Sequence, residues 1–507
     1  MGNDDFNTTI CAVCTPLSEG AISIIRISGS GAFDIADKVF VNKDHKHLLK
    51  GYATHTVHYG FITDIRNIDG NKVSIIASNK ASNKDVDNKI STCNDNEDAC
   101  DDIRIIDEVL VTVMKAPNTY TREDTVEINC HGGVYVTQSV LEDVLSAGAI
   151  LAEPGEFTKR AFMNGRIDLT EAEAVMNLIS AKNDTAVRNS VKQLRGSVRE
   201  KVVKLRYDVI GEIAHIEAAL DDPEHIELDG YHDHIESVMK NVSCEIKGLI
   251  DRADEGRLIQ DGINTVIVGK PNVGKSSFMN LMSGHERAIV TDIAGTTRDA
   301  IEDTIRIGGV VFNLIDTAGI RNTDNEIEKI GVDLSRKYAS DSDLVIYVVD
   351  ASEPLTHEDD EIIELIKDRK VIVVLNKNDL DRQVSAGDIR NRFSCDNQNG
   401  NDIDIISFSA KTGEGTDEFI SDVKKMFFGG NLGGGNDVTI CSTRQKELLK
   451  DAETSIEKVL DSVDKDMPED FYSIDLRDAY ETLGMIIGEE MNDDVVDQIF
   501  SRFCMGK

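Results

Sequence analysis

Thr265-Val266-Ile267-Val268-Gly269-Lys270-Pro271-Asn272-Val273-Gly274-Lys275-Ser276-Ser277 carries an apolar strand straight into a complete G-x-x-x-x-G-K-S motif. Helical patterning follows, and strand, glycine loop and helix in that order are the context a phosphate-binding loop requires. The glycines let backbone N–H groups wrap phosphate oxygens, Lys275 can reach the outer phosphates, and the Ser276 hydroxyl can ligate Mg2+. Four more near-continuous apolar runs follow, at Val310–Ile315, Leu344–Val349, Val371–Leu375 and Ile403–Phe408, with helical patterning between them. Strands this uniformly apolar belong in a parallel sheet covered on both faces, so residues 262–428 are expected to form an α/β domain.

The ends of these runs carry further chemistry. Asp316-Thr317-Ala318-Gly319 ends one strand, which puts Asp316 toward Mg2+ and the Gly319 amide toward a γ-phosphate. Asn376-Lys377-Asn378-Asp379 ends another. There Asp379 can accept hydrogen bonds from guanine N1–H and its exocyclic amine, groups adenine does not present in that arrangement, while Lys377 can lie along the base. Ser409-Ala410-Lys411 supplies backbone donors for guanine O6. Together the motifs specify GTP over ATP on a Ras-like P-loop domain. Ras-type enzymes place a Gln after the D-x-x-G motif to position the attacking water; Ile320 stands there, and an apolar side chain cannot orient water. No arginine finger is obvious, although Arg298 and Arg321 are near in sequence, so another group must neutralise the charge developing between the β- and γ-phosphates.

The whole chain of 507 residues leaves room for roughly three domains at ~150 residues each. No apolar run approaches the ~18 residues of a membrane span. Its 55 Lys and Arg against 92 Asp and Glu leave a net charge of −37, which argues against a chain built to neutralise phosphate backbones. Nine scattered cysteines suggest no disulfide framework and fit a reducing compartment. Cys11 and Cys14 form a lone C-x-x-C, either a zinc half-site or, more simply, a chance pair at a strand start. The opening Met1-Gly2-Asn3-Asp4-Asp5-Phe6 lacks the features of a secretory signal, so a cytoplasmic location is expected.

Residues 1–166 read as an α+β domain, interrupted by a polar Asn/Lys/Asp/Ser-rich insertion over about 64–104 that reads as a solvated loop. Val187, Val191, Leu194, Val198, Val202, Leu205, Val209, Ile213, Ile216 and Leu220 recur in steps of three and four, which predicts one long amphipathic helix within a helical segment, 167–261. Gly429 to Gly435 reads as a linker, and helical patterning resumes within 429–507. The simplest architecture is a helical bundle built from 167–261 and 429–507, with the 262–428 domain inserted between its halves.

Three further blocks are specific. Thr291-Asp292-Ile293-Ala294-Gly295-Thr296-Thr297-Arg298-Asp299 resembles the TDIAGTTRD switch of the MnmE (TrmE) tRNA-modification GTPases. Phe503-Cys504-Met505-Gly506-Lys507 resembles that family's F-C-[IL]-G-K ending, with Met505 in the variable place. The stretch from Pro154 through Gly155-Glu156-Phe157-Thr158-Lys159-Arg160 to Arg166 resembles a third family block. The likeness runs from Arg26 to Lys507, apart from the polar insertion.

The resemblance implies a GTP site formed by Asn272, Val273, Gly274, Lys275, Ser276 and Ser277 of the loop, Thr291 to Thr297 of the switch, Asp316 to Gly319, and the guanine-reading residues above. It implies a K+ ion held by Asn272, Thr291, Ile293 and Thr296 in the place of an arginine finger, and Mg2+ held by Ser276 and Thr297. Lys275 and Glu328 would be the catalytic residues, Glu328 orienting the water when two G domains meet. The alternative for Glu328, by residue type alone, is a solvated helix carboxylate like Glu326.

The same resemblance implies that the N-terminal domain binds 5-formyl- or methylene-tetrahydrofolate through Arg26, Glu127, Arg166 and Lys507. Arg26 and Arg166 could instead be structural ion pairs, and Glu127 an exposed strand carboxylate. His131 precedes two glycines, a setting that suits a turn better than a catalytic base. Cys504 is a functional-thiol candidate, with no helix N-terminus or cation evident to depress its pKa.

The implied partners are tRNA and MnmG (GidA), with FAD on that partner only, in a heterotetramer containing a homodimer of this chain. The implied activity adds an aminomethyl or carboxymethylaminomethyl group at C5 of the wobble uridine. Two other readings remain: a ribosome-assembly GTPase switch, which should carry a basic RNA-binding domain that is not apparent, and a one-carbon-binding protein with a regulatory GTPase.

Overall fold

The computed structural model describes residues 8–42, 49–65, 90–93, 100–222, 230–285, 303–315, 342–394, 403–430, 438–489 and 491–507. The chain divides into two compact units, Met1–Ala172 with Glu490–Lys507, and Glu173–Glu489.

The first unit is built on a seven-stranded sheet, order β3-β4-β7-β8-β2-β1-β9, comprising β1 (Ile10–Val13), β2 (Ile22–Ser28), β3 (Phe40–Asn42), β4 (Thr56–Thr63), β7 (Ile105–Met114), β8 (Thr125–His131) and β9 (Ile150–Leu151). Its pairs are antiparallel except β1 with β9. Period-two alternation sends Ile25, Ile27, Val126, Ile128, Val109, Val111 and Val113 into one core. The buried residues of α1 (Ala32–Val39) and α2 (Val134–Ser146) close that core. The alternate positions Arg26 and Glu127 are register partners, and Ala12 pairs with Arg26 on the other side. A second, smaller cluster of Ile10, Ala12, Ala152 and Phe157 includes a residue of α3 (Glu156–Met163).

The polar stretch contains a two-stranded hairpin, β5 (Ile90–Cys93) and β6 (Cys100–Ile103), where only a loop is expected from composition. Its two ends meet, because Asp64 N donates to Arg104 O at 2.9 Å.

In the second unit the predicted long helix is broken. It becomes α5 (Asp184–Leu194) and α6 (Ser197–Asp221), preceded by α4 (Leu169–Ser180), which straddles the boundary between units. Gly196 sits between them at φ 86, a left-handed conformation that ends a helix. Val187 and Leu220 of the stripe are correspondingly exposed. Its middle, Val198 to Ile216, does enter the bundle core with α7 (Tyr231–Asp261), α12 (Thr443–Asp464) and α13 (Glu469–Ile487). The last helix, α14 (Asp493–Phe500), and the tail belong to the first unit and not to the bundle: Phe500 and Phe503 pack where a Cβ on Gly155 would sit. Of the glycine linker, only Gly429 and Gly430 lie among the described residues.

The α/β sheet has the order β11-β12-β10-β13-β14-β15: β10 (Ile263–Val268), β11 (Asp303–Ile307), β12 (Val310–Leu314), β13 (Leu344–Asp350), β14 (Val371–Asn376) and β15 (Asp404–Ser407). The sheet is mixed, since the unexpected edge strand β11 runs antiparallel to β12. Leu344, Ile346 and Val348 face one core with Phe278 of α8 (Lys275–His285) and Phe419 of α11 (Thr416–Phe428). Val345, Tyr347 and Val349 face the other, with Ile363 of α9 (His357–Ile366) and Phe393 of α10 (Ala386–Ser394). Burial on both faces explains the uniformly apolar strands.

Candidate functional site: a nucleotide loop cluster and a cationic N-terminal pocket

Parallel strands β10, β14 and β15 end at the same edge of the sheet, where open α/β sheets hold ligands. The loop after β10 needs three positive φ angles, at Gly269 (150), Asn272 (63) and Gly274 (98). A Cβ on Gly269 would stand 2.3 Å from Val348 O, and one on Gly274 would stand 2.2 Å from Asn376 Nδ2. Helix α8 opens at Lys275, so its free N–H groups and positive dipole end face the loop. Lys275 Nζ donates to Gly269 O and Lys270 O, each at 2.7 Å, and burial lowers its pKa from the usual lysine value. Among the described residues no carboxylate pairs with this ammonium, which leaves it suited to exchange the two carbonyls for phosphate oxygens.

Asn376, 2% exposed at the end of β14, joins two loops: its Nδ2 donates to Val273 O at 2.8 Å and its Oδ1 accepts from Ala410 N at 3.0 Å. Asp379 Oδ1 accepts from the buried Ser409 Oγ at 2.9 Å, which sets the carboxylate between the two guanine-reading stretches. Lys377 has φ 61 and is ion-paired to Asp350. Burial would raise the pKa of Asp350, but Lys377 and the Ser352 hydroxyl and amide hold it below the usual carboxylate range. Lys411, Ser276 and Asn272 are exposed at the same edge. The switch Thr291–Thr297, the Asp316–Gly319 motif, Ile320 and Glu328 lie outside the described residues.

In the first unit Arg26 donates from Nε to Glu127 Oε1 at 2.9 Å, and its second nitrogen reaches the same oxygen at 2.8 Å. The pair therefore leaves Glu127 Oε2 outside it. The Arg26 guanidinium lies 5.6 Å from the Tyr120 ring centre and 5.5 Å from that of Phe157, while Arg166 lies 4.7 Å from the Tyr120 ring. Arg166 is exposed and also donates to Tyr120 O at 3.1 Å. Lys507 approaches through the tail: Cys14 Sγ contacts Gly506 O at 3.2 Å. Burial pushes the Cys14 thiol up in pKa, opposed by the charges of Arg26 and Lys507 and reinforced by Glu127. Gly506 needs φ 84, and a Cβ on it would stand 2.4 Å from Val13 O. Cys504 is half-buried, its carbonyl accepting from Gly155 N and Lys507 N.

Arg26, Glu127 and Arg166 are thus brought around Tyr120 and Phe157, two residues that sequence reasoning did not place in a site, while Arg26 and Lys507 both act on Cys14, considered from sequence only as half of a zinc pair. Cys11 is sealed in the core and pushed to about 12, whereas Cys14 contacts the tail, so the two thiols serve different surroundings. His131 ends strand β8 and is held by Asp107, which accepts from its backbone N and its ring Nδ1, each at 2.7 Å. Among the described residues no cluster of three or more His, Cys, Asp and Glu could hold a metal ion, and no helix is long and apolar enough to cross a membrane.

Strand-end loops of this chemistry on a mixed α/β sheet define the class of P-loop GTP hydrolases. Comparison with known proteins sharpens this. Residues 9–166 match the family model of the GTP-binding protein TrmE N-terminus, and residues 169–504 match that of the MnmE helical domain. The tRNA modification GTPase MnmE of Lachnoclostridium phytofermentans is 48% identical over 499 residues, 98% of this chain and 99% of that one. Its counterparts in Lactobacillus gasseri and Staphylococcus aureus strain Newman are 40% and 39% identical over 98% of this chain, covering 98% and 99% of theirs. Among solved structures, the G domain of the T. maritima FeoB iron transporter matches 32% of this chain and 97% of its own, at 26% identity and a TM-score of 0.24. The chain belongs to the MnmE family of tRNA modification GTPases, and is a GTP hydrolase.

Proposed function

We propose that this chain is a potassium-dependent GTPase that acts with MnmG to modify C5 of the wobble uridine in tRNA, with GTP hydrolysis driving a rearrangement of its domains. The observation that carries the reading is the cluster of Arg26, Glu127 and Arg166 at Tyr120, with Arg26 and the C-terminal Lys507 both acting on Cys14, in the same chain as a GTP site. Its donor set suits a tetrahydrofolate. Arg26 orients Glu127, Oε2 can accept a pterin N–H, Tyr120 offers a ring face, and exposed Arg166 with half-buried Lys507 can meet glutamate carboxylates. The bound folate would supply the one-carbon unit, and FAD would reside on MnmG.

At the nucleotide edge, the Ser276 hydroxyl and Thr297 would hold Mg2+, and the Asn272 side-chain oxygen with Thr291, Ile293 and Thr296 would hold K+. Hard oxygen donors suit both ions. A K+ there would supply positive charge beside the β–γ bridge, in place of an arginine. Lys275 would move from the loop carbonyls to the phosphates, and Glu328 would orient water. The acidic chain, at −37, would leave most tRNA contact to its partner. Dimerisation through the N-terminal domain, a heterotetramer with MnmG and a cytoplasmic location complete the reading.

Calorimetric titration of the full chain with 5-formyltetrahydrofolate tests it, because the chain has no Trp to report binding by fluorescence. Binding by wild type that is lost in an Arg26→Ala, Arg166→Ala double variant is the expected result. A folded, GTP-hydrolysing chain that binds no folate would favour the ribosome-assembly switch.

A further inference from the structure

Two lysines flank the phosphate-binding turn, and their ammonium groups are engaged differently. Lys275 rests on the carbonyl oxygens of Gly269 and Lys270. The Lys270 ammonium is committed to Asp359, its Nζ 2.7 Å from Oδ2, with side-chain exposures of 13% and 1%. It also donates to Thr356 Oγ1 at 3.2 Å. Asp359 closes the capping box of α9, accepting from Thr356 N at 2.7 Å, and its other oxygen accepts from Tyr347 OH at 2.8 Å. Tyr347 is the β13 register partner of Val268, the last residue before the loop. Burial would raise the Asp359 pKa, but Lys270, the Thr356 amide and the Tyr347 hydroxyl hold it below the usual range. A buried carboxylate needs such a partner.

We propose that Lys270 is a positioning residue for GTP binding, its ion pair with Asp359 tethering the first turn of the P-loop to helix α9 and reserving Lys275 as the lysine that meets the phosphates. The loop's shape is entropically demanding, with positive φ at Gly269, Asn272 and Gly274. A loop ordered before the nucleotide arrives binds more tightly than one that must order on binding. This contribution is the same for ground state and transition state, so it belongs in affinity and KM and not in kcat.

The test is calorimetric affinity for GDP and a non-hydrolysable GTP analogue, with steady-state GTP hydrolysis, on the full chain. Lys270→Met should weaken both nucleotides roughly tenfold, equivalent to ordering about one backbone position, and leave kcat within about twofold. Lys270→Arg should retain affinity within about threefold, since a guanidinium also pairs with a carboxylate. The double variant Lys270→Gln, Asp359→Asn replaces the ion pair by a neutral hydrogen bond and should recover most of the loss. Because it buries no unpaired charge, it carries the test alone if Lys270→Met does not fold. Wild-type affinity in Lys270→Met, a defect confined to kcat, or a double variant more than about tenfold weaker than wild type would overturn the proposal. The last result would make Lys270 a direct phosphate ligand.

Discussion

Asn376→Ala should uncouple the two loops that hold a guanine nucleotide. In the wild type one buried amide side chain satisfies the Val273 carbonyl of the phosphate loop and the Ala410 amide of the base loop. Alanine removes both bonds and strands two backbone groups beneath the site. A lost bond contributes ~1 kcal/mol and a stranded buried partner costs ~1–3 kcal/mol, with water refilling part of the gap, so ~2–4 kcal/mol is expected. Because both stranded groups lie in nucleotide loops, most of this should appear as a roughly 30- to 700-fold loss of GTP affinity. The overall fold should survive, as the sheet cores on either side are untouched. Titration with a fluorescent guanine nucleotide, beside a thermal melt, measures both. A folded variant with less than a threefold loss would refute the bridging role.

Three further outcomes follow. Gly506→Ala places a Cβ on Val13 O in a left-handed backbone, so the tail should shift and folate affinity fall at least tenfold while GTP hydrolysis is unchanged; a variant binding folate like wild type would contradict the tail's placement. His131 should titrate above its ordinary 6.5, raised by the hydrogen bond to Asp107. The contact's stabilisation is then full below pH 6.5 and is lost as pH rises through the raised value. Asp107→Asn should bring the imidazole's NMR titration back down, and no difference between the two chains would rule the pairing out. Replacing residues 66–102 by a short turn should leave GTP hydrolysis intact, because Asp64 and Arg104 already meet; loss of hydrolysis would show that the insertion supports the second unit.

The α/β domain was legible because its signals are local: a strand, a loop whose φ angles demand glycine, and a helix lie within about twenty residues. Non-local features were less so. Gly196 breaks a helix whose apolar stripe continues across it, and the stripe cannot register a change of φ. Strand β11 carries Asp303, Thr304 and Arg306, too polar for the uniformly apolar runs sought. The cationic pocket shows the same division. The family resemblance implies Arg26, Glu127, Arg166 and Lys507, but Tyr120 and Phe157 become neighbours of Arg26 only through the fold, Phe157 on α3. Arg160, 1% exposed, pairs with Glu156 one helical turn away, a spacing visible in the sequence, and with Glu123, which only the fold brings to it.

On the proposed function, the GTP site and the N-terminal cationic cluster serve one tRNA modification. The most direct test is nucleoside analysis of tRNA from a strain lacking its own copy of this family, complemented with wild type, Lys275→Ala or Arg26→Ala. C5-modified wobble uridine should return only with wild type. Its return with both variants, or its absence with wild type, would contradict the account.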